Sequence, residues 1–302
     1  MKSNRPLMDE PEGLATPHNL PPIIDAHVHI FPPGIFSAVW KWFDQHGWNI
    51  RYRFSAADIF DFLLSRGVRH IVALQYAHKP GISAALNQYM AKECGAWPNR
   101  VTGMATIFPG EANAGAILED AFAQGLKGVK LHPHVQCFDL DSDEMGLVCD
   151  LCQSHDKPMV IHAGREPKSE AYNCDPHKTC GAEKLESVLK QFPRLRVCAP
   201  HLGFDEITAF RKLTEKYENL WLDTAMLLAD FFPIKEAIDL DGFRMDRIMY
   251  GSDFPNIPYA WDRELKWFSS SRLSFEKMEL ILAKNAVDFF GLETLLLPSK
   301  TD

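Results

Sequence analysis

From residue 23 onward the chain alternates between short apolar, β-branched runs and longer amphipathic stretches. This alternation limits its possible folds more than any other feature. The runs are Ile23-Ile24-Asp25-Ala26-His27-Val28, His70-Ile71-Val72-Ala73-Leu74, 101–107, Gly128-Val129-Lys130-Leu131-His132, Pro158-Met159-Val160-Ile161-His162, Leu195-Arg196-Val197-Cys198-Ala199, Leu220-Trp221-Leu222-Asp223 and Arg247-Ile248-Met249-Tyr250. They are nearly continuous in apolar residues, as strands buried on both faces of a parallel sheet are. Between them the pattern predicts helices over 55–66, 83–94, 113–124, 143–155, 182–191, 205–217, 232–238, 260–269 and 274–290. Ser55 is the expected N-cap of the first and Gly67 its stop. An aromatic-rich stretch, 35–48, follows the first run, and a long polar loop spans 163–180. Eight strand–helix units predict an α/β fold of the (β/α)8 TIM-barrel type, a single domain over 23–292. An open doubly wound sheet is the rival architecture. Residues 1–22, rich in proline and polar side chains, read as a flexible N-terminal arm, and 293–302 as a C-terminal tail.

Composition narrows the partners. Lys and Arg number 32 against 40 Asp and Glu, a net charge of −8. An acidic chain without a basic stripe argues against nucleic acid or an anionic membrane and for a small-molecule substrate. No run approaches the ~18 apolar residues of a membrane span, and the first residues hold no apolar signal segment. Seven scattered cysteines, an odd number, fit the reducing cytoplasm better than a disulfide framework. Cys149 and Cys152 lie on a helical pattern and read as buried small apolar residues. The aromatic residues of 40–43 offer a homodimer contact or pack on the barrel.

The polar residues that interrupt the strand ends carry the chemistry. His27 and His29 close the first run two positions apart, so they project to one face and can share a divalent ion. His162 and His201 follow the fifth and sixth runs, and Asp253 follows the eighth within Tyr250-Gly251-Ser252-Asp253. Barrel active sites are assembled at this end of the strands. Four histidines and an aspartate converging there supply three nitrogens and an oxygen for a metal, plus one spare base. Such a set with an open position suits catalytic zinc better than a closed structural site.

The ordered set His27-x-His29, His162, His201 and Asp253 resembles the amidohydrolase superfamily, and within it the amidohydrolase-related branch that includes aminocarboxymuconate-semialdehyde decarboxylase. Ile24-Asp25-Ala26-His27-Val28-His29, Gly128-Val129-Lys130-Leu131-His132-Pro133, Phe192-Pro193-Arg194-Leu195-Arg196-Val197, Tyr250-Gly251-Ser252-Asp253-Phe254-Pro255 and Asn285-Ala286-Val287-Asp288-Phe289-Phe290-Gly291-Leu292 carry the likeness, over about residues 23–292. It implies that His27, His29, His162 and Asp253 ligate one divalent metal, most simply zinc, with manganese as the alternative. It also implies that His201 is the acid–base group and that Asp253 can accept the proton of the attacking water. In some branches a lysine on the fourth strand is carboxylated and bridges two metals. Were Lys130 so modified, His162 and His201 would bind a second ion. Otherwise Lys130 is a free ammonium for a substrate carboxylate, or a hydrogen-bonded lysine in the barrel mouth.

Lesser candidates surround this set. His132 and His134 line the pocket or are ordinary loop histidines. Arg165, three residues after His162, is a clamp for an anionic group or a surface ion pair. Tyr76 and Trp40 form an aromatic wall or pack internally, and Cys174, His177 and Cys180 form an incomplete Cys-x2-His-x2-Cys metal motif. The leading expectation is a metal-dependent hydrolase using metal-activated water on an amide, ester or lactone of a small, carboxylated molecule. The alternative is a non-oxidative decarboxylase (a lyase) of an aromatic or muconate-type acid. Lys130 departs from the decarboxylase pattern, which favours hydrolysis. A ligand-binding barrel without turnover is the third reading, which a complete metal set disfavours.

Overall fold

The computed structural model describes residues 8–166, 169–232 and 238–292. Its strands are β1 (Ile24–His29), β2 (His70–Leu74), β3 (Val101–Gly103), β4 (Val129–Leu131), β5 (Met159–Ile161), β6 (Val197–Ala199), β7 (Leu220–Asp223) and β8 (Ile248–Met249), every residue of them buried. All pair in parallel and in chain order, β1 to β3 in one ladder and β4 to β8 in another. Two bridges join the ladders, Ala105 with Val129 and Val28 with Phe254. The sheet is therefore closed on itself: a (β/α)8 barrel, not the open sheet.

Helices follow the predicted spacing. Ala56–Ser65 starts at Ser55, which accepts from the Asp58 amide while the Asp58 carboxylate accepts from the Ser55 amide, a reciprocal capping box. Ser83–Gly95, Ala114–Ala123, Asp143–Ser154, Ala182–Gln191 and Ile207–Lys216 lie within two residues of expectation. The aromatic stretch is itself a helix, Pro33–His46, and the polar loop contains a short one, Pro176–Thr179. The predicted 232–238 helix and the 293–302 tail lie outside the described residues, apart from Phe232 and Ile238. None of the described helices is long and apolar enough to cross a membrane.

Two apolar clusters result. The larger fills the layer between strands and helices and takes in Cys149 and Cys152. The smaller gathers Ile24, Ala26, Val72, Leu74, Val160, Cys198, Trp221 and Met249 from the strands with Phe289 and Phe290 from the last helix. These strand residues alternate with members of the first cluster, so they form the barrel interior.

The expectation of a loose arm is corrected for residues 8–22. The Gly13 amide donates to Asp262 (2.8 Å), Glu10 pairs with Arg263 (2.8 Å), Glu12 pairs with Arg51 (3.1 Å) and the Thr16 amide donates to the Arg66 carbonyl (2.7 Å). Composition marks such a segment as poor in core formers. It cannot show that its acidic residues meet basic partners on the barrel.

Candidate metal centre and active-site cavity

β1 carries one residue more than β2 between its paired positions: Asp25 and Val28 are three apart, their partners Ile71 and Ala73 two. This bulge re-aims the strand end, and His27 and His29 finish with their Nε2 atoms 3.1 Å apart. Asp253 joins them, its Oδ1 3.1 Å from His29 Nε2 and 3.6 Å from His27 Nε2. Donors about 2.0–2.1 Å from one ion lie ~2.9 Å apart at octahedral and ~3.4 Å apart at tetrahedral angles. The three atoms already have that spacing, all on buried residues.

The backbone that holds them is short of space. A Cβ on Gly251 would fall 2.6 Å from the Cβ of His27, so the β8 exit can pass β1 only as glycine. The Asp253 amide donates to the His27 carbonyl (2.9 Å). Asp25 accepts from the Ser252 hydroxyl (2.6 Å) and amide (3.0 Å), clamping the two strand ends together. Burial pushes Asp25 up to about 7, against the hydrogen bonds from Ser252 and His27.

Asp223, at the end of β7, orients the site. Its Oδ2 accepts from His27 Nδ1 (2.8 Å) and its Oδ1 from the His201 amide (3.0 Å). With Nδ1 donating, His27 Nε2 presents a lone pair to the cradle, the usual outer support of a metal-ligating histidine. Burial lowers both His27 and His29 below the ordinary imidazole range, so both are neutral donors. Burial alone would raise Asp253, but the hydrogen bond from His29 and the fields of His29, His27 and His201 hold it below the usual carboxylate range.

His201 stands beside this trio, its ring 5.3 Å from that of His27 and 4.7 Å from that of His162. Its Nδ1 donates to the Ala225 carbonyl (2.8 Å), which leaves Nε2 for chemistry. The His162 and His201 loops touch through their backbones: a Cβ on Gly164, at φ +111°, would fall 2.4 Å from the Gly203 carbonyl oxygen.

His162, which the resemblance implies as a metal ligand, lines the same cavity as His29 and Asp253. Its ring stacks on His132 at 4.0 Å, its Nε2 lies 3.3 Å from Glu166, and its ring stands 4.7 Å from that of His201. Burial pushes His162 down to about 3. Lys130 points into the barrel interior and is fully buried, with no hydrogen-bond partner at Nζ among the described residues. Burial pushes it down to about 8, against the fields of Asp223 and Asp253.

Arg165 is a correction. Its guanidinium pairs with Glu183 (2.6 Å) and Glu206 (3.3 Å) outside the cavity, so the surface ion pair prevails over the anion clamp. The Cys-x2-His-x2-Cys motif likewise does not assemble: His177 Nε2 bonds the Glu166 carbonyl and Cys180 the Pro176 carbonyl. Trp40 packs on Phe36, whereas Tyr76 lines the cavity between His29 and His132.

The cavity measures about 360 Å3 and opens above the strand ends. His29, His132, His134, His162, His201 and Asp253 line it, walled by Trp42, Tyr76, Tyr172, Phe204 and Phe232. That volume suits a one-ring substrate. Sequence reasoning missed Asp223, Glu166, Trp42 and Tyr172. Asp223 had a readable signal, an acid closing an apolar run. The others come from a helix and a loop whose course over the barrel mouth is a tertiary fact.

The amidohydrolase family model matches residues 24–292. Among curated proteins no match was found. Among solved structures, a 5-carboxyvanillate decarboxylase from Novosphingobium aromaticivorans, complexed with manganese and 4-hydroxy-3-methoxy-5-nitrobenzoic acid, is 15% identical with a TM-score of 0.68, covering 94% of this chain and 100% of that one. An uncharacterized TIM-barrel protein from Bordetella bronchiseptica is 20% identical with a TM-score of 0.65, covering 91% and 100%. A Pseudomonas putida protein assigned as a 2-pyrone-4,6-dicarboxylic acid hydrolase is 17% identical with a TM-score of 0.63, covering 90% and 98%. With its closed barrel, its His-x-His strand end and a family match across nearly all of the described body, the chain belongs to the amidohydrolase family.

Proposed function

We infer that the protein is a metal-dependent hydrolase acting on an amide, ester or lactone of a small, planar, carboxylated molecule. The observation that carries this reading is the spacing of His27 Nε2, His29 Nε2 and Asp253 Oδ1, with separations of 3.1–3.6 Å. Two imidazoles and a carboxylate suit zinc, with manganese as the alternative. A bound ion supplies Lewis acidity, polarising a carbonyl and acidifying a water.

The chain's own groups do the rest. Asp253, ionised and facing the cavity, accepts the proton of the attacking water. His201 Nε2, aimed by the Ala225 carbonyl, hydrogen-bonds the developing oxyanion or hands a proton to the leaving atom. Asp223 keeps His27 in the ligand tautomer. The aromatic walls select a flat ring and exclude bulk water. Lys130 does not reach the cavity, and its position beneath the cradle makes it a positioning residue that offsets Asp223 and Asp253.

A second reading, non-oxidative decarboxylation of an aromatic acid, is favoured by the aromatic walls and by the likeness to 5-carboxyvanillate decarboxylase. In it His201 delivers a proton to the ring carbon as carbon dioxide leaves. One experiment separates the two. Metal-loaded enzyme is screened on lactones, amides and aromatic acids in 18O-labelled water with carbon dioxide detection. Hydrolysis places 18O in the product carboxylate. Carbon dioxide release with no 18O in the organic product identifies the lyase and overturns the hydrolase.

A further inference from the structure

Cys174 meets a different cysteine from the one its sequence motif pairs it with. Cys94, Cys149, Cys152, Cys180 and Cys198 are buried, whereas Cys174 is half-buried and Cys137 is exposed. Cys137 follows the short helix Pro133–Gln136 at the exit of β4. The two thiols converge on one atom: the His134 carbonyl oxygen accepts from Cys174 Sγ (3.4 Å) and from Cys137 Sγ (3.7 Å). They also lie within hydrogen-bonding reach of each other.

Position and surroundings single out this pair. Cys137 sits at φ +55°, where a helix end ordinarily carries glycine or asparagine. A cysteine there is strained, and what it adds over glycine is its thiol. Cys180 is engaged elsewhere, buried against the Pro176 (3.1 Å) and Gly164 (3.5 Å) carbonyls. Burial, with Cys137 beside it, raises the Cys174 thiol above its ordinary range, so Cys174 stays protonated and exposed Cys137 meets an oxidant first. Both cysteines adjoin the cavity wall. Tyr172 and Asn173 line it just before Cys174, and His134 and Val135 line it just before Cys137. The Tyr172 ring stacks on Trp42 (5.5 Å) and meets His134 edge-on (4.9 Å), so contacts without a covalent bond hold this wall in the reduced protein.

We propose that Cys137 and Cys174 are a modification site, a dithiol that peroxide closes to a disulfide, tying the Tyr172–Asn173 wall of the cavity to the β4 exit. Cys137 sulfur attacks one peroxide oxygen, the O–O bond breaks, and a sulfenic acid and one water result. Cys174 sulfur then attacks Cys137 sulfur. The S–S bond forms, and the sulfenic hydroxyl leaves with the Cys174 proton as a second water. Two thiols lose two electrons and two protons, and hydrogen peroxide takes up both. Closing the bond draws the sulfurs to ~2.0 Å and takes both thiol donors from the His134 carbonyl. Neither sulfur belongs to the metal cradle, so the dithiol stands independently of the hydrolase reading.

The zinc-loaded full chain is treated with equimolar hydrogen peroxide and followed by intact mass and by fragmentation of its peptides without reduction. Wild type is expected to lose about 2 Da, to link Cys137 to Cys174, and to recover its mass in dithiothreitol. Cys137→Ser and Cys174→Ser, each checked for fold by circular dichroism, should both lose the link. A link from Cys174 to Cys180, a link between chains, or oxygen added to Cys137 without a link overturns the proposal. Hydrogen exchange of the oxidised protein tests the wall. Amides of 170–174 exchanging roughly tenfold more slowly than in the reduced protein support it, and equal exchange refutes the tie to the cavity.

Discussion

Replacing Lys130 with methionine should stabilise the metal-free protein at neutral pH while damaging catalysis. Lys130 is fully buried and its Nζ has no hydrogen-bond partner among the described residues. Burial moves its pKa from 10.5 down to about 8. At ~1.4 kcal/mol per pH unit, keeping the ammonium buried costs about 3 kcal/mol. Between pH 8 and 10.5 the folded chain binds fewer protons at this site than the unfolded chain. The penalty is therefore complete below pH 8 and disappears as pH rises through 10.5. Methionine is near-isosteric and carries no charge. An unfolding entropy of ~2.1 cal/mol/K per residue over 302 residues converts 3 kcal/mol into a Tm gain of about 5 °C at pH 7. Differential scanning fluorimetry of chelated wild type and Lys130→Met from pH 7 to 10.5 would show the gain shrink, and any offset left at the alkaline end measures packing. A variant that melts below wild type at pH 7 would falsify the reasoning. Lys130 would then carry a favourable partner, as a carboxylated lysine would.

The remaining predictions concern other parts of the molecule. Asp223→Asn frees His27 Nδ1 from its carboxylate and should weaken zinc binding by roughly 10–100-fold in a competition with a chromophoric chelator; unchanged affinity would remove Asp223 as a support. His70, at the opposite end of β2 from the cavity, is bonded to Thr102 (2.9 Å) and is pushed by burial from 6.5 down to about 4. Its neutral form is favoured in the fold, so its contribution is present above pH 6.5 and lost toward pH 4. Wild type should lose about 3 kcal/mol more than His70→Gln across that window in urea titrations, and parallel curves would contradict this. Arg165→Ala should leave KM within about twofold and cost less than ~1 kcal/mol of stability, since its ion pairs are at the surface; a tenfold rise in KM for a carboxylated substrate would restore it as an anion clamp.

The barrel was legible because strand burial and strand spacing are written locally. His70–Leu74, Leu220–Asp223 and Ala182–Gln191 fall on their predicted bounds, since an apolar run between turn residues has few other ways to bury itself. Ser55 announced its helix through a side chain that caps within the same turn. His27, His29 and Asp253 were legible for a related reason: they lie in or just beyond the last residues of a buried strand, and barrel closure carries all such ends to one mouth.

Where the sequence and the fold part is distance in the chain. Sequence alone determined the alternation, the barrel class and which side chains stand at the strand ends, because each depends on residues a few positions apart. It could not determine that Arg165 would meet Glu183 and Glu206, that the arm would dock on Asp262 and Arg263, or that His162 would stack on His132 beside Glu166. Those outcomes were decided by tertiary structure. A long polar side chain takes whichever partner the closed barrel brings within reach, and that choice is made by packing between elements that share no local pattern.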